Sequence, residues 1–146
     1  MASNFYYKLP LQLSGIMEGK DAPTCDLRTS ISKNIELIIM TRFGEHRSDP
    51  TFGCEIWDLD FELIVSQGIW EKKLCSSVMQ SISIHECRLS NIEATVLLTE
   101  VEKINSIYKL PEIKKKVEIR LAAIIKKTGE PYSFIASLFL SPLSLD

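Results

Sequence analysis

The periodicity of the apolar residues changes once along the chain, and this change constrains the fold more than any other feature. In two segments between Asp26 and His85, apolar residues recur every three or four positions, which predicts amphipathic helices. Beyond Leu89 they recur at every second position, which is typical of half-buried strands. The segments are helices over Asp26–Met40, with Asp26 as N-cap, and Gln67–His85, followed by strands over Leu89–Val101, Val117–Ile125 and Tyr132–Leu140.

Two helices followed by strands predict an α+β fold, with the amphipathic helices packed on a small, mainly antiparallel sheet of about three strands. The glycine in Lys127–Glu130 predicts a hairpin between the last two strands. The connection Lys103–Lys116 is long, and its apolar residues favour a short helix or a docked loop. The segment Cys54–Val65 is ambiguous between a helical turn and an extended conformation.

The third strand has apolar residues on both faces. Tyr132, Phe134 and Leu138 alternate with Ile135 and Phe139. A small domain rarely needs a second apolar face on one strand. Two explanations are open: the N-terminal arm covers this face, or it is a surface for assembly.

The length of 146 residues suits one domain with a single core. We expect this domain to span residues 26–146 and to follow an N-terminal arm, residues 1–25. The arm carries Phe5, Tyr6 and Tyr7, three aromatic residues that are costly to leave in water. It is therefore either a fraying terminus or a segment that reaches a neighbouring subunit.

The charge distribution does not indicate a nucleic-acid partner. The net charge is −2, and the lysines are divided between Lys114–Lys116 and Lys126–Lys127. Such groups beside a strand favour a solvated edge that blocks unwanted strand pairing. We expect no nucleic-acid binding.

Neither a membrane span nor a secretory signal is expected. The first ten residues lack a basic region followed by an apolar run, and no apolar segment reaches about 18 residues. These features predict a cytoplasmic protein without direct membrane insertion.

Cys25, Cys54, Cys75 and Cys87 lack the spacing of a zinc or redox motif, so we expect reduced thiols, mostly buried, and neither metal nor cofactor.

The segment Thr41–Gly53 is rich in residues that shape loops. Gly44 and Gly53 permit unusual backbone angles, and Pro50 fixes one backbone angle. Phe43 and Phe52 can pack both ends of the segment against the core. Loops held in this way commonly serve recognition.

The residues do not indicate nucleophilic catalysis. No serine lies in a Gly-x-Ser-x-Gly turn, no glycine-rich phosphate loop occurs, and neither His46 nor His85 has a recognisable nucleophile motif around it. A glycoside hydrolase needs only two suitably placed carboxylates. That alternative stays open, with the candidates Glu45, Glu55, Asp58 and Glu62.

The run Gly44-Glu45-His46, followed by Pro50, Phe52 and Gly53, resembles the Gly-Glu-Arg-x-x-x-Pro-x-Phe-Gly signature of the gene 25-like baseplate wedge family. This family is shared by contractile-tailed phages and type VI secretion systems, where the subunit is called TssE. His46 replaces the arginine of the signature, and Arg47 follows it.

A second motif resembles the secretion branch of this family. Its members have a Glu-Pro-Arg-hydrophobic run between the second helix and the first strand, and Glu86-Cys87-Arg88-Leu89 occupies that place here. Cys87 replaces the proline. The Glu86–Arg88 pair fits either an internal brace or a grip on a partner.

The resemblance implies a structural role without catalysis. It implies a subunit that joins other baseplate wedge subunits (TssF/TssG-like) and templates the first ring of contractile sheath subunits. The residues expected to contact partners are Glu45, Arg47, Pro50, Phe52, Glu86 and Arg88. Some members of the resembled family carry a lysozyme label, which is a second reason to keep the glycoside hydrolase alternative.

Overall fold

The computed structural model describes residues 6–56, 66–140 and 143–145. In these ranges the elements, in chain order, are β1 (Tyr6–Tyr7), α1 (Leu13–Met17), β2 (Thr24–Cys25), α2 (Leu27–Met40), α3 (Gln67–His85), β3 (Leu89–Ile104), β4 (Pro111–Ile125), β5 (Pro131–Leu140) and β6 (Leu143–Leu145). The predicted α+β class is confirmed. Of the ambiguous segment Cys54–Val65, only Cys54–Ile56 lies within the described residues.

The main sheet is antiparallel, with strand order β3-β4-β5-β6. It contains the three predicted strands and adds the short β6 beside β5. The hairpin that joins β4 to β5 turns at Gly129, whose φ is +71°, as the sequence predicts. Within the described residues the 16-residue β3 pairs with β4 alone. Its other side is partly covered by α3, because Gln67 and Glu71 bond the Leu98 backbone and Cys75 Sγ donates to the Ala94 carbonyl (3.0 Å).

Both long helices lie on one face of the sheet: α3 packs on β3, and α2 packs on α3 and β5. The residues between helices and sheet are fully or nearly fully buried, and they form one apolar core: Ile31, Ile35, Ile38, Ile39, Trp70, Leu74, Val78, Ile82, Val96, Leu98, Val117, Ile119, Leu121 and Leu138. The spacing of apolar residues in the sequence therefore predicted correctly which faces of the helices and strands are buried. Ile69 is an exception, since its side chain is 50% exposed although it lies in the apolar series of α3.

The prediction of a short helix or docked loop over Lys103–Lys116 is wrong. β3 continues to Ile104 and β4 starts at Pro111, so that only a tight turn separates them. Opposite charges face each other across this part of the ladder, at Glu100–Lys115 and Lys103–Glu112. Such pairs stabilise extended strands without any apolar alternation to reveal them.

The lysine prediction holds for part of the first group. Within the described residues, Lys114 and Lys115 lie where β4 pairs with β3 alone, so the other side of β4 is a strand edge there. Lys116 lies inside the sheet, where it pairs with Thr99 on one side and Phe139 on the other. Lys126 and Lys127 lie in the exposed turn between β4 and β5.

The second face of β5 is only partly covered. Phe139 is 3% exposed, and the Lys103 ammonium lies 3.8 Å from the centre of its ring. Ile135 is 65% exposed, so the described part of the arm does not cover it. In that part, β1 pairs with β2 and contacts α2, on the helix side of the sheet.

Among the helices of the described residues, none is both long and apolar enough to cross a membrane. The four cysteines are free thiols. Cys54 is buried, Cys25 and Cys75 are half-buried, and Cys87 is exposed, so the expectation of burial holds least for Cys87.

Replacing Ile119 by alanine tests the position of the core. Ile119 has no exposed surface at the centre of β4, so its truncation should lower the free energy of unfolding by about 2–5 kcal/mol. The matched control is Ile113→Ala on the same strand, where the side chain is 65% exposed and the change should stay within about 0.5 kcal/mol. Urea denaturation measures both. Equal losses would contradict the position of the core.

Candidate functional site

The loop Thr41–Gly53 is closed at its base by backbone contacts between its two ends. The Cys54 N–H donates to the Thr41 carbonyl (3.0 Å), and Arg42 and Cys54 form an isolated β-bridge. Inside the loop, the Gly44 N–H donates to the Pro50 carbonyl (2.9 Å). The backbone therefore holds the loop in one shape before any partner contacts it.

Gly53 makes this closure possible. Its φ is +125°, a region that residues with a side chain rarely adopt. A Cβ at this position would lie 2.4 Å from the Thr41 carbonyl oxygen. Gly44 also has a positive φ of +81°, but a Cβ there would meet open space. The expected shaping role of the two glycines thus has a different physical basis at each position.

Side chains inside the loop satisfy its turns. The Glu45 carboxylate accepts from the Arg42 N–H (2.9 Å). The Asp49 carboxylate accepts from both the N–H (3.0 Å) and the hydroxyl (2.6 Å) of Thr51. The Thr51 hydroxyl, the main cause, lowers the pKa of Asp49. These acidic groups hold the loop together while their side chains stay at the surface.

Three polar side chains of α3 attach the loop to the body of the protein. The Ser81 hydroxyl donates to the Gly53 carbonyl, and the Ser77 hydroxyl accepts from the Glu55 N–H (3.2 Å). His85 Nε2 lies 3.1 Å from the Thr51 carbonyl oxygen. Ser77 and Ser81 were not predicted from the sequence, although two serines four residues apart in an apolar helical stripe indicate a buried polar contact.

The two aromatic residues of the loop have different surroundings. Phe52 packs against the core, and its ring lies between those of His46 (5.6 Å) and His85 (5.0 Å). Phe43 is 36% exposed, so the expectation that it packs one end of the loop into the core is wrong. It lines instead a cleft of about 410 Å³ between the loop and α3.

This cleft combines apolar walls with a few polar groups. Pro50 lines it on the loop side, together with Phe43, and Ile84, which is 60% exposed, lines it on α3. Glu55 and Gln80 supply polar atoms. Of the residues expected to contact partners, Pro50 lines the cleft, while Glu45 and Arg47 lie exposed on the loop.

The second group of expected site residues lies where α3 meets β3. The Glu86 carboxylate is 1% exposed and accepts from Arg88 Nε (2.7 Å), Arg88 Nη2 (2.8 Å) and Asn34 Nδ2 (2.8 Å). Arg88 also donates to the Ser30 hydroxyl (2.8 Å), and its guanidinium lies 5.5 Å from the centre of the Tyr6 ring. This corner cluster, Ser30, Asn34, Glu86, Arg88 and Tyr6, joins α2, the helix-to-strand corner and the arm.

The charges in the corner cluster stabilise each other. Burial raises the pKa of Glu86, but the hydrogen bonds from Arg88 and Asn34 outweigh it and hold that pKa below its usual value. The hydrogen bond to Glu86 raises the pKa of Arg88. Both groups are therefore charged at neutral pH, and the pair serves as an internal brace. Arg88 keeps 28% of its side chain exposed.

The geometry of the described residues offers no metal site: no cluster of three or more His, Cys, Asp or Glu side chains there could hold an ion. Asp49 lies 3.7 Å from His85 Nδ1. The pKa is shifted for three carboxylates, and in each case it lies below the usual value: Asp26, Asp49 and Glu86. A general acid for glycoside cleavage needs the opposite shift. Asp58 and Glu62, two of the alternative carboxylates, lie outside the described residues.

The family model described as baseplate wedge protein gp25 matches residues 25–130, which include the loop and the corner cluster. The chain belongs to this family. The match confirms the resemblance to the gene 25-like baseplate wedge family. Members of the family are structural parts of the baseplate in contractile tails, and this wedge subunit therefore acts with other baseplate proteins.

Solved structures give the same fold. A crystal structure of a putative tail lysozyme from Geobacter sulfurreducens is similar to this chain with a TM-score of 0.56 and 17% identity. The similarity covers 82% of this chain and 96% of that one. No match is found among curated proteins.

Substituting the two loop glycines by alanine separates backbone strain from a steric clash. Both replacements place a side chain at a positive φ, which costs about 1–2 kcal/mol. Gly53→Ala also forces a Cβ against the Thr41 carbonyl and should destabilise by at least about 1 kcal/mol more than Gly44→Ala. Chemical denaturation measures the difference. If the two variants unfold at the same denaturant concentration, the close approach at Gly53 is wrong.

The Glu86→Gln variant tests the corner cluster through its pH dependence. Loss of the charge leaves Arg88 without its buried partner and should cost about 3 kcal/mol at pH 7. The folded pKa of Glu86 lies below the unfolded value of about 4.3, so its contribution is complete at neutral pH and is lost as the pH falls through the folded pKa.

The stability difference between wild type and Glu86→Gln should therefore shrink as the pH falls below about 4.3. Glu18→Gln is the matched control, because Glu18 pairs with Lys20 at the exposed surface and should change stability by less than about 1 kcal/mol. Urea unfolding at several pH values measures these differences. A constant difference for Glu86→Gln down to pH 3 would contradict a charged Glu86 in the native state.

Proposed function

We propose that this baseplate wedge subunit belongs to a type VI secretion system and is TssE-like. In this role it bridges the other wedge subunits (TssF/TssG-like) and templates the assembly of the contractile sheath. The secretion branch is favoured by the Glu86-Cys87-Arg88-Leu89 corner, which resembles that branch. The subunit then acts in the cytoplasm, in a baseplate docked at the inner face of the cell envelope.

The observation that carries the proposal is the fixed loop beside an open cleft. Backbone closure at Gly53 and the contacts from Ser81 and His85 fix the shape of the loop before binding. A preorganised surface loses little conformational entropy on association. Glu45 and Arg47 are charged groups on this surface, and the cleft between Phe43 and Ile84 suits an apolar side chain of a wedge partner.

The part of the β3 edge beyond Leu98, the residue that α3 bonds through Gln67 and Glu71, supports the templating role. An exposed strand edge can accept a strand from a second protein, because backbone hydrogen bonds fix the register and side chains select the partner. The edge belongs to a 16-residue strand whose other side is paired with β4. We propose that a strand of the sheath subunit adds there, without any covalent chemistry.

In this account the corner cluster positions the partner surfaces. It fixes α2, from which the loop emerges, relative to β3, whose edge is offered to the sheath. Glu86 acts inside the protein, and only the exposed part of Arg88 is accessible to a partner. The distance between the loop and the strand edge is thereby set by the fold.

The lysozyme-like alternative has one specific observation behind it, the name of the similar Geobacter sulfurreducens protein. A hydrolase would need a cleft with a protonated carboxylic acid. Two of the candidate carboxylates lie in the described part of the chain. Glu55 lines the cleft, whereas the Glu45 carboxylate accepts a hydrogen bond from the Arg42 backbone. The structural role is therefore the better supported of the two.

Reversing the charge of Arg47 tests the role of the loop. The chain is co-expressed with its wedge subunits and purified through a tag, and Arg47→Glu should reduce the co-purified partners at least about tenfold. Because Arg47 is exposed, the melting temperature should change by less than about 2 °C. Lys72→Glu on the exposed side of α3 is the matched control and should leave co-purification unchanged.

Two results would contradict the proposal. If wild type does not co-purify with wedge subunits, the bridging role is wrong. If the purified chain hydrolyses peptidoglycan and loses this activity in Glu55→Gln, the lysozyme-like alternative replaces it.

A further inference from the structure

The β3–β4 hairpin extends beyond the rest of the sheet. β5 pairs with β4 only as far as Lys116, whereas β3 and β4 continue together through five further pairs, from Glu100–Lys115 to Ile104–Pro111. At about 3.3 Å per residue, this two-stranded part projects by about 16 Å. We call residues 100–115 the distal hairpin.

Neither long helix of the described residues covers the distal hairpin. The first turns of α3 meet β3 at Leu98, where Gln67 Nε2 donates to the Leu98 carbonyl (3.0 Å) and Glu71 accepts from its N–H (2.9 Å). Beyond this point, apolar side chains are exposed by 64–81%: Ile104, Ile107, Tyr108, Leu110 and Ile113. Five such residues in a single hairpin form a larger apolar patch than chance exposure gives, and such patches mark interaction sites.

The turn of the distal hairpin has a defined shape. The Asn105 N–H donates to the Leu110 carbonyl (3.0 Å), and the Lys109 N–H donates to the Asn105 carbonyl (2.8 Å). The Asn105 side-chain oxygen accepts from the N–H of Ile107 (2.9 Å) and of Tyr108 (3.4 Å). The apolar side chains are thus presented on an internally bonded turn.

The charge of the distal hairpin is opposite to that of the remaining chain. It contains four lysines and three glutamates, a net charge of +1. Since the whole chain has a net charge of −2, the other residues together carry −3. An apolar projection with a net positive charge on an acidic protein is complementary to an acidic surface.

The position of Glu102 favours a protein partner over an anionic membrane. Glu102 lies opposite Ile113 on the neighbouring strand and on the same face as Ile104, and both isoleucines are exposed. Insertion of these isoleucines into lipid would bring the Glu102 carboxylate towards the hydrocarbon, which is unfavourable. The rim of a protein cleft, by contrast, can provide hydrogen-bond donors for this carboxylate.

We propose that the distal hairpin docks into an apolar cleft with an acidic rim on another protein subunit of the same assembly. The inference rests on the proposed function, because it assumes a baseplate partner. The isoleucines and Tyr108 fill the cleft, and Lys109 and Lys115 pair with carboxylates at its rim. This contact is separate from the Thr41–Gly53 loop and extends the interface along β3.

The test uses the full chain co-expressed with its wedge subunits. A photo-reactive benzophenone amino acid in place of Ile107 should form a crosslink to one subunit, at a site flanked by Asp or Glu. The same amino acid in place of Met17 is the control, since Met17 is 89% exposed on the arm. It should give at most about one tenth of that crosslink.

Two substitutions then separate the apolar and the charged contributions. Ile107→Ser should reduce co-purification at least about fivefold, and Lys109→Glu should reduce both the yield and its sensitivity to salt. Met17→Ser and Lys72→Glu are the matched controls and should behave as wild type.

Each remaining outcome contradicts the inference in an identifiable way. Co-purification that is unaffected by both hairpin variants overturns the docking role and leaves the proposed function intact. Absence of wedge partners for wild type overturns both. If the hairpin instead binds vesicles of phosphatidylcholine and phosphatidylglycerol, and Ile107→Ser abolishes this binding, the partner is a membrane and the protein cleft is wrong.

Discussion

The buried ion pair between Glu86 and Arg88 determines how the helical and sheet layers of this protein meet. A carboxylate that is 1% exposed is stable only if its charge is compensated, and here Arg88 and Asn34 provide three of the hydrogen bonds it accepts. The guanidinium in turn contacts α2 through Ser30 and the arm through Tyr6. Since α2 leads into the loop and β3 starts just after the corner, the same pair fixes two surfaces that a baseplate subunit can offer.

The fold shows two ways of preparing a surface for binding. In the Thr41–Gly53 loop, a glycine with φ +125° allows a close backbone contact, and serines of α3 attach the loop to the core. In the distal hairpin, an asparagine organises the turn and cross-strand charges support the ladder. Both surfaces are formed in the free protein, which reduces the entropic cost of assembly.

The sequence predicted those features that depend on periodicity. On α2 and β4 the apolar residues repeat with the period of one face of a helix or strand, which predicts that this face is buried. The structure buries these residues, for example Ile35 and Ile38 on α2 and Val117 and Ile119 on β4. The distal hairpin was missed because its apolar residues do not alternate and its strands are supported by charge pairs between residues far apart in sequence. Cross-strand register is a tertiary property that a single segment does not encode. The contacts of Ser81, His85 and Asn34 were missed for the same reason, whereas Glu86 and Arg88 were found through a family motif.

Hydrogen–deuterium exchange of the chain, alone and bound to its wedge subunits, tests the central claim most directly. A preformed adaptor predicts slow exchange of the hydrogen-bonded Gly44 and Cys54 amides of the loop already in the free protein. On binding it predicts new protection along β3, the distal hairpin and the loop. Fast exchange throughout the loop in the free chain, or new protection restricted to the arm, would contradict the account.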